Sequence, residues 1–172
     1  MEKWQMDKAH SEVNLKVRHM MISNVTAGLK DFEVKVESAD DSFSNTNIEF
    51  VAKAHSIDTN NEQRDNHLRS EDFLHADAHP EITFIARGVD ASKGKVTGDL
   101  TIRGITKKAE IGIDFAGIYK DPYGNNKAGF SIDGKIKRSD FGLEWNAALE
   151  AGGVVVGDDV RLLAEIQLTQ MN

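Results

Sequence analysis

A chain of 172 residues with 40% hydrophobic residues and no cysteine is the size of one domain held by packing alone, which excludes a disulfide framework, a thiol nucleophile and a thiolate metal site. A formal net charge of -7 without a long basic tract argues against a nucleic-acid partner. No uncharged apolar run approaches the length of about 18 residues that a membrane span needs, so stable membrane insertion is not expected.

The N-terminus, Met1-Glu2-Lys3-Trp4-Gln5-Met6-Asp7, lacks the apolar run of a signal peptide, and the expected compartment is therefore cytoplasmic. From there the chain reads as period-two alternation, which places apolar side chains on one face of a strand and polar ones on the other. Val13, Leu15 and Val17 alternate with Glu12, Asn14, Lys16 and Arg18, and His19 ends that apolar face. Phe32, Val34 and Val36 form the second strand, and Ile48, Phe50, Ala52 and Ala54 the third.

Residues 58–80 break the rhythm. Thr59 followed by Glu62 has capping-box spacing and predicts a short helix, whose interior carries only Leu68 as an apolar anchor, so it must rest on the strands as a cap. Alternation then resumes: Ile82, Phe84, Ala86 and Gly88; Val96, Gly98, Leu100 and Ile102; Ile111, Ile113 and Phe115; Phe130, Ile132, Gly134 and Ile136. Residues 138–158, with Phe141, Trp145, Leu149 and Gly152-Gly153, predict a crossover loop over one end of the fold, and Val160, Leu162, Ala164, Ile166 and Leu168 form the last strand.

Turn signals at Asp40-Asp41-Ser42, Ala91-Ser92-Lys93-Gly94, Arg103-Gly104 and Asp121-Pro122-Tyr123-Gly124 predict antiparallel hairpins. The expectation is an all-β fold: one domain over 1–172 with eight antiparallel strands that close into a barrel, a two-sheet sandwich being the competing arrangement. Whether the barrel is solid or hollow depends on inward volume, and the small residues Ala52, Ala54, Ala86, Gly88, Gly98, Gly134 and Ala164 favour a cavity.

Two blocks carry a family resemblance: Asp7-x-x-His10-Ser11-x-Val13-x-Leu15-x-Val17-x-His19-Met20, and Thr59-Asn60-Asn61-Glu62-Gln63-Arg64-Asp65-x-His67-Leu68-Arg69-Ser70-x-Asp72-Phe73. With Gly98–Lys107, Arg138–Leu143 and Leu149–Gly153 followed by Val156–Val160, they resemble the YceI-like family along nearly the whole chain. The resemblance implies a lipocalin-like eight-stranded barrel whose elongated tunnel, in known members, holds a polyisoprenoid or another long-chain lipid. It implies no catalysis and no cofactor, and relatives often form homodimers. His79 before Pro80 departs from the aromatic more usual there and introduces a polar group near that loop.

The residues expected to touch the ligand are the inward sets Val13, Leu15, Val17 and His19; Phe32 and Val34; Ile48 and Phe50; Ile82 and Phe84; Leu100; Ile113 and Phe115; Phe130 and Ile132. His19 is either a head-group partner at the mouth or a core histidine satisfied by the backbone or a carboxylate. On the cap helix, Arg64, Asp65 and Arg69 are head-group candidates, or else a structural clamp in which Asp65 and Arg69 pair four residues apart. His75 and His79 share the spacing of some zinc sites, but Pro80 follows at once and no Glu stands between them in the catalytic pattern, so no metal is expected. No nucleophile turn of the Gly-x-Ser-x-Gly kind occurs. The leading expectation is a lipid carrier. The alternative is a barrel enzyme acting on an isoprenoid or fatty-acid derivative, with His19 as acid or base beside a carboxylate.

Overall fold

The computed structural model describes residues 1–147 and 155–171. Its strands are β1 (Glu2–Met6), β2 (Glu12–His19), β3 (Ser23–Leu29), β4 (Phe32–Ser38), β5 (Thr46–Lys53), β6 (Ile57–Asp58), β7 (Glu81–Val89), β8 (Lys95–Ile102), β9 (Ile105–Lys120), β10 (Asn126–Lys137) and β11 (Val156–Gln170), with one α-helix, α1 (Glu62–Arg69). Every pairing is antiparallel, in the order β1-β4-β5-β7-β8-β9-β10-β11, and β11 pairs again with β1, which closes a ring of eight. The barrel is therefore the realised alternative, and the sandwich is not.

Two strands that the alternation delimits are halves of longer, bent ones. β1 and β2 lie end to end along β11, with Trp4 opposite Gln170 and Val17 opposite Val160. β3 and β4 run back beside them, Leu15 facing Ala27 and Trp4 facing Val36. The bend in the first strand is a 3-10 turn at Lys8–His10. The long β9 and β10 curve through a register shift at Gly129/Phe130, opposite Gly117, whose φ of 103° is a conformation that favours glycine.

The helix starts two residues later than the capping-box spacing of Thr59 and Glu62 predicts. Asn61 is the N-cap and its side-chain oxygen accepts the Arg64 backbone N–H at 2.9 Å. Thr59 serves the helix differently: its N–H and hydroxyl both donate to the buried Asp65 carboxylate, at 2.8 and 2.6 Å. The Asp65–Arg69 pair does not form. Arg69 instead donates to the backbone oxygens of His55 and Ile57 and to Asn66 Oδ1, which straps α1 to the chain around β6.

Candidate functional site

The barrel has one closed and one open end. At the closed end the turn between β4 and β5 carries Phe43, which is 0% exposed and has a φ of 57° that folds its ring inward. Phe43 meets Trp4, Phe115 and Phe130 at ring-centroid distances of 5.2, 5.0 and 5.1 Å, and Phe115 stacks on Phe130 at 4.9 Å. These aromatic rings floor the barrel.

Above that floor lies a cavity of about 660 Å³, within the range of about 300–1,000 Å³ usual for small-molecule sites. Its wall explains an oddity of the strands: Val13, Leu15, Val17, Ile113 and Ile132 point inward yet are only half-buried. They face space rather than packed side chains. All the wall residues expected from the alternation line this cavity except Phe32 and Phe115. Phe115 belongs to the floor, and Phe32 is buried in the core against Phe50, with ring centroids 6.0 Å apart.

The small inward residues do not create the space in the way the sequence suggests. A Cβ on Gly98 would fall 2.6 Å from Phe84 Cζ, and one on Gly134 would fall 2.8 Å from Ile111 Cδ1, so neighbouring side chains already occupy those positions. Ala52, Ala54 and Ala86 are likewise packed solid, Gly88 is exposed, and Ala164 does line the cavity. The void comes from medium-sized aliphatic side chains that do not span the barrel.

Polar side chains line the cavity almost wholly at the other end: Arg18, His19, Asn61, Arg64, His67 and Arg138 among them. Thr46 near the floor is an exception, and its hydroxyl is already donated to the Phe43 carbonyl at 2.8 Å. Among the described residues no Asp or Glu lines the cavity, in a chain whose net charge is -7.

Arg138 is the anchor of this rim. It is 5% exposed and donates to four backbone oxygens: Gly157 at 2.8 Å, Leu143 at 2.8 Å, Trp145 at 3.2 Å and Val156 at 3.3 Å. Burial pushes its pKa down and the charge of the nearby Asp158 partly offsets that. Its Cζ lies over the Phe73 ring, 5.8 Å from the ring centroid. Beside it His67 stands edge-on to Phe73 and Trp145, at 5.0 and 4.8 Å, while its Nε2 meets Asp72 Oδ2 at 2.8 Å. Arg64 donates through Nε and Nη2 to the Thr59 hydroxyl and carbonyl, and this leaves further N–H groups of its guanidinium for a ligand.

The head-group candidates thus divide. Arg64 reaches the cavity; Asp65 and Arg69 do not line it and are spent on holding α1. His19 lines the mouth. The acid-base pair that an enzyme would need beside His19 is not assembled from any described carboxylate. His75 and His79 sit edge to face, 5.6 Å between centroids, and no group of three metal-ligating side chains forms among the described residues. His79 packs under Gly104, where a Cβ would meet its ring at 2.9 Å, and stays out of the cavity wall. Of the predicted crossover, Leu149 and Gly152-Gly153 lie outside the described residues.

The model of the YceI-like domain matches residues 4–168. The chain belongs to the YceI-like family. A UPF0312 protein of Staphylococcus aureus (strain MSSA476) is 38% identical over 170 residues, 98% of each chain. The crystal structure of a Campylobacter jejuni YceI protein is 34% identical with a TM-score of 0.76 and covers 96% of both chains. A polyisoprenoid-binding domain from Saccharophagus degradans, 12% identical, shares the fold with a TM-score of 0.68 over 98% of both chains. No described helix is long and apolar enough to cross a membrane.

Proposed function

We propose that this barrel carries one long-chain lipid, a polyisoprenoid or a similar amphiphile, with its tail toward Phe43 and its polar end among His19, Arg64, His67 and Arg138. The observation that carries this reading is the division of the cavity: aliphatic walls over most of its length, hydrogen-bond donors gathered at one end, and no described carboxylate between them. Such a rim suits a head group that accepts hydrogen bonds, whether a quinone carbonyl, a carboxylate or a phosphate. The name of the Saccharophagus degradans domain supports the isoprenoid class.

Burying one five-carbon unit from water is worth about 4 kcal/mol at roughly 0.8 kcal/mol per carbon, but almost nothing relative to a bilayer. Selectivity must therefore come from tail length and from the rim. Residues 58–80 act as the lid of a single domain spanning 1–172, the only α-helix described lying within them.

Mass spectrometry of an organic extract of the freshly purified protein tests the reading, and an intact long-chain lipid at near one per barrel is the expected result. His19→Gln and Arg64→Ala should each weaken retention of that lipid by about tenfold, the worth of one charge-assisted or buried hydrogen bond. Unchanged retention in both would move the head group elsewhere. Function in the cytoplasm is part of the proposal. So is pairing of two barrels, for which the exposed Tyr119 and Tyr123 near the β9–β10 turn offer a surface. Cell fractionation and sedimentation equilibrium decide these two points.

A further inference from the structure

The hairpin between β2 and β3 ends in Met20, Met21 and Ile22, which are 43%, 57% and 77% exposed. Three consecutive apolar side chains standing in solvent call for a cause. Folding does not supply one. Met20 and Met21 have φ values of 50° and 61°, and the Ile22 N–H donates to the His19 carbonyl at 3.2 Å. Two left-handed residues bridged in this way make a type I′ turn, the geometry for which Asn-Gly is favoured and bulky side chains are disfavoured. The β8–β9 hairpin shows the ordinary solution in this same chain: Arg103 and Gly104 have φ values of 52° and 72°, with glycine at the second position.

The tip stands at the mouth of the cavity. Val17, Arg18 and His19, just before it, line the cavity, and the Met20 N–H donates at 2.7 Å to Val155, another lining residue. The hairpin also differs in charge from the molecule around it. From Val13 to Leu29 there is no Asp or Glu, while Arg18 beside the tip and Lys16 farther along β2 are basic, in a chain of net charge -7. On its far side β3 pairs only through Gly28 and Leu29 with β6, so among the described residues the edge from Ser23 to Ala27 flanks the mouth uncovered.

We propose that Met20-Met21-Ile22 is a membrane-docking wedge that enters the headgroup region of a bilayer, with the basic hairpin against lipid phosphates, and so sets the cavity mouth on the lipid surface. This rests on the carrier reading, which needs such a contact: each five-carbon unit made to cross water would lower the partition by about a thousandfold. A protein partner fits the surface poorly, because a stable protein interface buries about 1,200–2,000 Å² in total and three side chains fall far short. An interfacial wedge has no such minimum, and unbranched methionines adapt to the irregular acyl boundary.

The test is flotation of the ligand-free protein with vesicles of phosphatidylcholine containing a minor fraction of phosphatidylglycerol, comparing the native chain with a Met20→Asn, Met21→Gly, Ile22→Ser variant. That variant carries the residues its turn prefers, so its thermal midpoint should be equal or higher, and a loss of flotation cannot be laid to misfolding. The native chain should float, the variant should bind at least about tenfold more weakly, and a Met20→Leu, Met21→Leu variant should bind like the native chain. Transfer of a pyrene-labelled fatty acid from vesicles should slow with the loss of binding, while its uptake from cyclodextrin solution stays the same. A native chain that does not float, or a triple variant that floats equally well, overturns the wedge. A chain that floats but takes up the pyrene probe from neither source keeps the wedge and removes the carrier.

Discussion

Gly98 shows how little room separates a wall residue from a packed one in this barrel. Its position on β8 lies over the Phe84 ring, and the carbonyl oxygen of Ile85 would be 2.7 Å from an added Cβ. Backbone cannot step aside as a side-chain tip can, so Gly98→Ala should lose about 1–3 kcal/mol in a urea titration despite the entropy that alanine spares the unfolded chain. From sequence the same glycine reads as a gap in the lumen. Periodicity tells which way a residue points, and it told this correctly for Leu15, Ile113 and Ile132; it does not tell which neighbour leans into the space a glycine leaves. Phe43 is hidden for a related reason. Placed among Asp and Ser in a turn, it carries no periodic signal, and only its left-handed backbone brings it under the barrel.

At the scale of elements, the alternating strands were legible and their joints were not. β1 escapes the pattern because Trp4 is its only fully buried side chain, whereas β3 does alternate, Val25, Ala27 and Leu29 against Asn24, Thr26 and Gly28, and its signal was there to be read. The joint between β1 and β2 is held by Asp7, which accepts from Lys127 Nζ of β10 at 3.1 Å and lies 3.0 Å from His10 Nδ1, while Lys127 also reaches Thr169 at 2.7 Å. Burial works to raise the Asp7 pKa, but the hydrogen bonds and charges of His10 and Lys127 outweigh it and hold the carboxyl below its ordinary value of 3.8. A lowered folded pKa means stability that is present above the unfolded value and is lost as pH falls through the folded one. Asp7→Asn should therefore cost about 1 kcal/mol at neutral pH, and the gap between the two unfolding curves should close only as the pH falls below about 3.8. A gap that persists unchanged into that acid range would show that the joint is held by something other than this charge. The rim residues show the same limit of sequence reading: His67, Arg138 and Trp145 come from α1, the start of the crossover and its middle, and only the closed barrel brings them together.

For the molecule as a whole, the aromatic floor decides what kind of container the barrel is. Phe43→Ala should lose about 3–5 kcal/mol of stability, as a fully buried phenylalanine does, and should open the lower end. If the carrier reading holds, the lipids extracted from this variant should be shifted toward longer chains, whereas an unchanged length distribution would mean that the rim alone selects them.

A sac with one opening also imposes an order of events on exchange. A newcomer cannot displace the occupant from behind, so the resident molecule must vacate before another enters. Release measured against rising concentrations of a competing lipid should then follow a single first-order rate that does not depend on the competitor, and saturation kinetics of the opposite kind would reveal a second way out.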